Sequence, residues 1–350
     1  MAWQAIGEDL YDVDDEKLAE IQRRLTQDNN MEDVYEIFAR SSKKIVLSMK
    51  EMDAILPKMT KLFFGEESEF DLKSLSQLKE EKASSVIYDI YNEAFNNAVK
   101  HLNDAVSVIN DEQGIFESYI SDRIQMKDKD ALRFFIDSLL NKLKRMTSIL
   151  DGDNNENIIL LIKNKSKAET VMQPEAINKD TIFGLTSIGD PLDRMFINTA
   201  IVPEDLNPSN NNFQTFQDRE KYINLATGTM LHEAVHAIGL PEDYIYLNVE
   251  DTGGFVSIEQ SLAQIKYAIE NNFMEKEHFN YLCHLYFLSN PVYKDLSLES
   301  LMKPSNLKRL FQLDDYFKGV LLINNPDTVS QIISDIAKNN ELFRRGDGAP

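Results

Sequence analysis

Between Leu225 and Tyr246 the chain reads LATGTMLHEAVHAIGLPEDYIY, and no other stretch constrains the fold as much. His232, Glu233 and His236 form an H-E-x-x-H pattern. On an α-helix, residues four apart project from one face about a turn from each other, so two imidazole nitrogens can reach one metal ion. Glu233 stands next to the first histidine and toward the same cleft, where a carboxylate can take a proton from a metal-bound water. The pattern therefore demands a helix beside a cleft, with zinc as the expected ion and hydrolysis as the expected chemistry. The neighbouring residues predict that helix: Met230, Leu231, Ala234, Val235, Ala237 and Ile238 are apolar, Gly239 suits a C-terminal cap, and Pro241 prevents continuation past about Leu240. The alternative is two surface histidines on an ordinary amphipathic helix.

A catalytic zinc site takes three protein ligands and leaves a fourth position for water. Three carboxylates compete for the third place. Asp243 lies seven residues past His236 and is followed by Tyr246, giving D-x-x-Y. Glu242 lies six past His236 and completes H-E-x-x-H-x-x-G-x-x-E. Glu259 is farther on, in SIEQSLAQ, which reads as a second helix.

With Asp243 and Tyr246, the stretch resembles the deuterolysin or aspzincin family of zinc endopeptidases, which includes lysine-specific members. That family precedes its H-E-x-x-H helix with a Gly-Thr pair, here Gly228 and Thr229, and follows it with a G-T-x-D-x-x-Y-G turn. The resemblance implies that Asp243 is the third ligand, that Tyr246 assists the transition state, and that a protein or peptide, cut beside lysine, is the substrate. Acidic residues such as Glu242, Glu250 and Asp251 would form the lysine pocket. Fainter likenesses are the KLFFG element at Lys61 to Gly65, and Glu270, Asn271 and Asn272 followed by HFNYLCHLYF. The chain departs from the family at Leu240 and Pro241, which replace the Gly-Thr of the turn, and at Leu247, which replaces its last glycine. HAIGLPED is also similar to the metzincins, in which the position of Glu242 holds the third ligand, and Glu259 would suit a gluzincin-like site.

The 37 basic and 58 acidic residues give a net charge of -21, which disfavours nucleic acid and anionic membranes and would draw in basic substrates. Solubility alone also explains such a surface. The single Cys283 excludes an internal disulfide, unlike secreted deuterolysins, and suits a reducing compartment. The opening MAWQAIGEDLYDVDDEK lacks the basic start and apolar run of a signal peptide, and no stretch reaches the length of a membrane span. A cytoplasmic site of action is expected. For a bacterial source this extends to a toxin or effector exported without a cleaved signal and directed at a host protein.

The overall expectation is an α+β, predominantly helical chain. Residues 1–150 read as a helical layer: DEKLAEIQRRLTQ, Met31 to about Leu56, Leu75 to Ile109, and Phe116 to Leu150, with interruptions at FGEESEFD and NDEQG. Residues 151–290 read as a zincin-like catalytic region whose short β-rich runs, NIILLIKNK, Thr170 to Leu185 and RMFINTAIV, build a small sheet beside the metal helix. RMFINTAIV is the candidate for a substrate-binding edge strand, and a fully paired internal strand fits it equally well. PEDLNPSNNNFQTFQD reads as a polar loop, and NVEDTGGFVS as another. His278 and His284, beside Glu277 and Cys283, could hold a second metal but more often such residues are packed. Residues 291–350 read as a helical extension ending in a GDGAP tail. A non-catalytic, acidic helical interaction protein is the reading from another class.

Overall fold

The computed structural model describes residues 70–80, 86–150, 155–163, 184–186, 192, 194–199, 213–238, 245, 247, 256–274, 279–280, 282–283, 286–287, 297–340 and 343. DEKLAEIQRRLTQ, the run from Met31, KLFFG, and the GDGAP tail lie outside them. Along the chain the elements are β1 (Phe70–Ser74), α1 (Leu75–Glu80), α2 (Val86–Asp111), α3 (Gln113–Ile124), α4 (Lys129–Ile149), β2 (Ile158–Lys163), β3 (Gly184–Thr186), β4 (Met195–Asn198), α5 (Phe213–Ala237), α6 (Ile258–Asn271), α7 (Leu298–Leu301), α8 (Pro304–Leu313), α9 (Asp315–Ile323) and α10 (Pro326–Lys338). The described residues are mostly helical with one small sheet, as an α+β chain should be.

The chain divides into two compact units that interleave along the sequence. One has its described residues within Tyr11–Val99 and Ile149–Gly239, the other within Lys100–Ser148 and Leu240–Pro350, so α2 passes from the first to the second at Val99.

The sheet unit holds four strands in the order β1-β2-β4-β3. β1 pairs antiparallel with β2, β2 pairs parallel with β4, and β3 pairs antiparallel with β4. Every residue of β4 is buried, as expected of a strand flanked on both sides. This corrects the candidate edge: Met195–Asn198 within RMFINTAIV is internal, and Gly184–Thr186 is the outer strand on that side among the described residues. β1 is a second departure, since FDLKS lies where sequence periodicity predicts an interruption before a long helix. Its register with Ile159–Lys163, more than eighty residues away, is a non-local pairing that local periodicity does not reveal.

Helix α5 packs on β3 and β4. It begins at Phe213, so FQTFQD continues the helix instead of forming the end of a polar loop. The reason is composition: from Phe213 to Ala237 there is no proline, and a polar segment of good helix formers extends a helix as readily as it forms a loop. Gly228 and Thr229 accordingly lie inside the helix and not ahead of it. The buried Ile223, Ala226, Thr227, Met230, Leu231, Ala234 and Val235 recur at three- and four-residue spacing and form its inner face. Thr227 Oγ1 lies 2.7 Å from the Ile223 carbonyl and 3.3 Å from the Ala94 carbonyl, and Tyr91 donates its hydroxyl to the Asn198 carbonyl at 3.1 Å, so α2, α5 and β4 are tied together.

In the helical unit, the stretch from Phe116 to Leu150 is two helices. Gln125 adopts a left-handed conformation with φ 55°, and its N–H donates to the Ser121 carbonyl, closing α3. Ser121 Oγ then donates to the Met126 carbonyl at 2.8 Å, and Asp128 Oδ1 accepts from the amides of Asp130 and Ala131 to open α4. The C-terminal helices lie in the core of this unit: Phe317, Leu321, Val329, Ile332, Ile333 and Ile336 are all buried.

Candidate metal-binding and catalytic site

The helix predicted around H-E-x-x-H is present as the last turns of α5, and residues from Gly239 lie outside the described part. His232 and His236 are half-buried and share a face, with ring centroids 4.8 Å apart and planes inclined by 65°. Their Nε2 atoms stand 3.1 Å apart. Two imidazole nitrogens bound to one tetrahedral zinc at ordinary bond lengths would stand ~3.3 Å apart, so the pair fits the histidine half of a zinc site. The same separation is a hydrogen-bond length if one ring presents N–H and the other its lone pair.

Glu233 is turned toward the sheet. It is 4% exposed, and its Oε2 accepts a hydrogen bond from Thr186 Oγ1 at 2.8 Å. The Thr186 hydroxyl also stands 3.2 Å from the Glu233 carbonyl oxygen, so one side chain of β3 meets both polar ends of this residue. Gly184, two residues earlier on the strand, leaves the space the carboxylate occupies. A Cβ built at Gly184 would stand 2.6 Å from Glu233 Oε1 and 2.7 Å from its Cγ. Sequence reading included Gly184 at the end of the β-rich run from Thr170 to Leu185, stopped short of Thr186 and gave neither residue a role at the site, because only the fold brings this strand against Glu233.

Asp243, Tyr246 and Glu242 lie outside the described residues, as do Glu250, Asp251, Glu277, His278 and His284. On either side of Tyr246, Ile245 and Leu247 are buried, and the Leu247 amide donates to Asp327 Oδ2 at 2.7 Å. Glu259 is described: its carboxylate lies 3.2 Å from Arg123 Nε, and that guanidinium stacks 3.5 Å above the Tyr119 ring. Among the described residues no three metal-ligating side chains come together. Cys283 is fully buried, and burial raises its thiol well above the ordinary range.

Compared with known proteins, the chain matches no family model, no curated protein and no solved structure.

Proposed function

We propose that this chain is a zinc-dependent endopeptidase with a zincin-like core. The observation that carries the reading is the 3.1 Å approach of the two Nε2 atoms on one helix face, with Glu233 beside them in an H-E-x-x-H sequence. His232 and His236 would hold the ion, with Asp243 as third ligand by resemblance to the aspzincins. Zinc, when bound, lowers the pKa of its water and polarises a carbonyl. Glu233 takes a proton from the attacking water and returns it to the leaving amine, while Tyr246 donates a hydrogen bond to the developing oxyanion. Among the described residues β3 is the outermost strand on this side, and its backbone runs beside α5 at the level of Glu233, so its outer edge is suited to pairing with an extended peptide. The surplus of acidic residues favours basic peptide substrates, and a protein target in a host cytosol fits this reading.

A second reading rests on the Thr186 hydrogen bond. A buried glutamate satisfied by the adjoining strand β3, next to two hydrogen-bonded imidazoles, is also what a non-catalytic helical interaction protein would use to fix α5 to its sheet. Zinc content and hydrolysis separate the two. The purified protein should carry about one zinc per chain. His232→Ala and His236→Ala should lose it, Glu242→Ala should keep it, and cleavage of an unfolded protein substrate should stop on chelation and return with zinc. A chain with no zinc and no chelator-sensitive cleavage would remove the enzyme reading in favour of the second.

A further inference from the structure

We infer that Thr186 and Gly184 of β3 are positioning residues for Glu233, setting the direction in which its carboxylate points. The inference rests on the endopeptidase reading and extends it to residues that no motif in the sequence marks. A glutamate side chain has three rotatable bonds, and a general base works only when its oxygen lies within hydrogen-bond reach of the proton it removes. The H-E-x-x-H helix fixes where Glu233 starts and leaves the carboxylate free to rotate. Two features of the edge strand remove that freedom. The Thr186 hydroxyl holds Oε2 at 2.8 Å, and the missing side chain at Gly184 leaves the volume in which Cγ and the carboxylate lie. The backbone at Gly184 is one that any L-residue adopts, so space and not a left-handed turn requires glycine there. The three groups belong to one unit, and Thr186 and Glu233 are 7% and 4% exposed, so their contact is shielded from competing water.

The test compares the zinc-loaded wild type with Thr186→Val, Thr186→Ser and Gly184→Ala on one peptide, reading kcat, KM, zinc content and Tm. Valine keeps the shape of threonine and removes the donor, serine restores the donor, and alanine at 184 crowds the carboxylate while leaving the Thr186 donor in place. For Thr186→Val and Gly184→Ala the expected result is a fall in kcat of roughly 10- to 100-fold, with KM and zinc content within about twofold of wild type. Thr186→Ser should recover most of the loss. Wild-type kcat in either Thr186→Val or Gly184→Ala overturns the inference, as does a loss of kcat that follows Tm or zinc content and is not recovered by serine. An active wild type with an unaffected Thr186→Val sinks this inference alone. A zinc-loaded wild type no more active than Glu233→Gln sinks the endopeptidase reading and this inference with it.

Discussion

Two polar clusters, one in each unit, are built on opposite plans. Around Lys318 charged and polar donors are set against acceptors. The Lys318 ammonium, 3% exposed, donates to the Gln125 carbonyl at 2.6 Å and lies 3.1 Å from Asp315 Oδ1, while Asp315 Oδ2 accepts from the amides of Lys127 and Asp128 at 2.6 and 2.8 Å. Burial works against the charge of Asp315, yet those two amides and Lys318 hold its carboxyl below the usual range. The cluster closes the junction between α3 and α4 onto α9. On α5, by contrast, two side-chain nitrogens of the same kind are brought within 3.1 Å of each other. Opposites placed together stabilise a fold on their own terms, whereas like groups placed together leave their pairing to a proton or a metal ion. Under the endopeptidase reading proposed above, the first plan belongs to architecture and the second to chemistry.

The largest effect that can break this contrast is on turnover. Glu233→Gln keeps an acceptor for Thr186 and should leave zinc content and stability close to wild type while lowering the hydrolysis rate by about 10²- to 10⁴-fold. Steady-state rates on a peptide, read beside the metal content, check it, and full activity in this variant would place the α5 cluster with the architectural one. Asp315→Ala should do the reverse. Leaving Lys318 buried without its carboxylate should cost about 3–5 kcal/mol in chemical denaturation, with no change in the rate per folded molecule. An altered rate per folded molecule would show that the two clusters are not independent.

A smaller effect sharpens the contrast within the helical unit. Lys142 occupies the buried stripe of α4 that includes Phe135, Leu139, Met146 and Ile149, and desolvation, followed by the neighbouring Arg145, pulls its ammonium from 10.5 down to about 7. Here the folded value lies below the unfolded one. Between pH 7 and 10.5 the unfolded chain binds the proton that the folded chain has lost, so the wild type gains stability as the pH rises through that window. Lys142→Met should therefore stabilise the protein by about 3 kcal/mol at pH 8, and the gain should shrink steadily toward pH 10.5. Denaturation curves at several pH values measure it. A gain that does not change with pH would mean that packing, and not the cost of charging a buried amine, separates Lys142 from Lys318.

What was legible in the sequence follows the range of the forces involved. The helix carrying His232 and His236 could be read because its apolar spacing is local, and Ile158–Lys163 could be read because a short run of β-branched and leucine residues between polar breaks has few other uses. The break at Gln125 could not, since no glycine or proline marks it and its stability comes from Asp128 and the distant Asp315. The order of strands was equally hidden. Whether Met195–Asn198 or Gly184–Thr186 stands at the edge depends on pairings between segments that no spacing rule connects. For the same reason the motif named the base of the candidate site, Glu233, while the residues that hold it, Thr186 and Gly184, came only from the fold.

The interleaving of the two units also bears on how the chain is made. On a ribosome, which releases a chain from its N-terminus, both described halves of the sheet unit emerge before residue 245, so β1 to β4 and α5 can assemble early. Helices α3 and α4 emerge between those halves, yet the elements of their own unit, α6 to α10, begin only at Ile258. Roughly 110 residues separate the end of α4 from that point, a delay on the order of 5–20 s at ordinary elongation rates. During that interval Phe116, Ile120, Phe135 and Leu139, which are fully buried in the finished molecule, lack the C-terminal helices of their unit. The nascent chain thus holds these apolar side chains for seconds without their final partners, the condition in which a chain is most prone to aggregate.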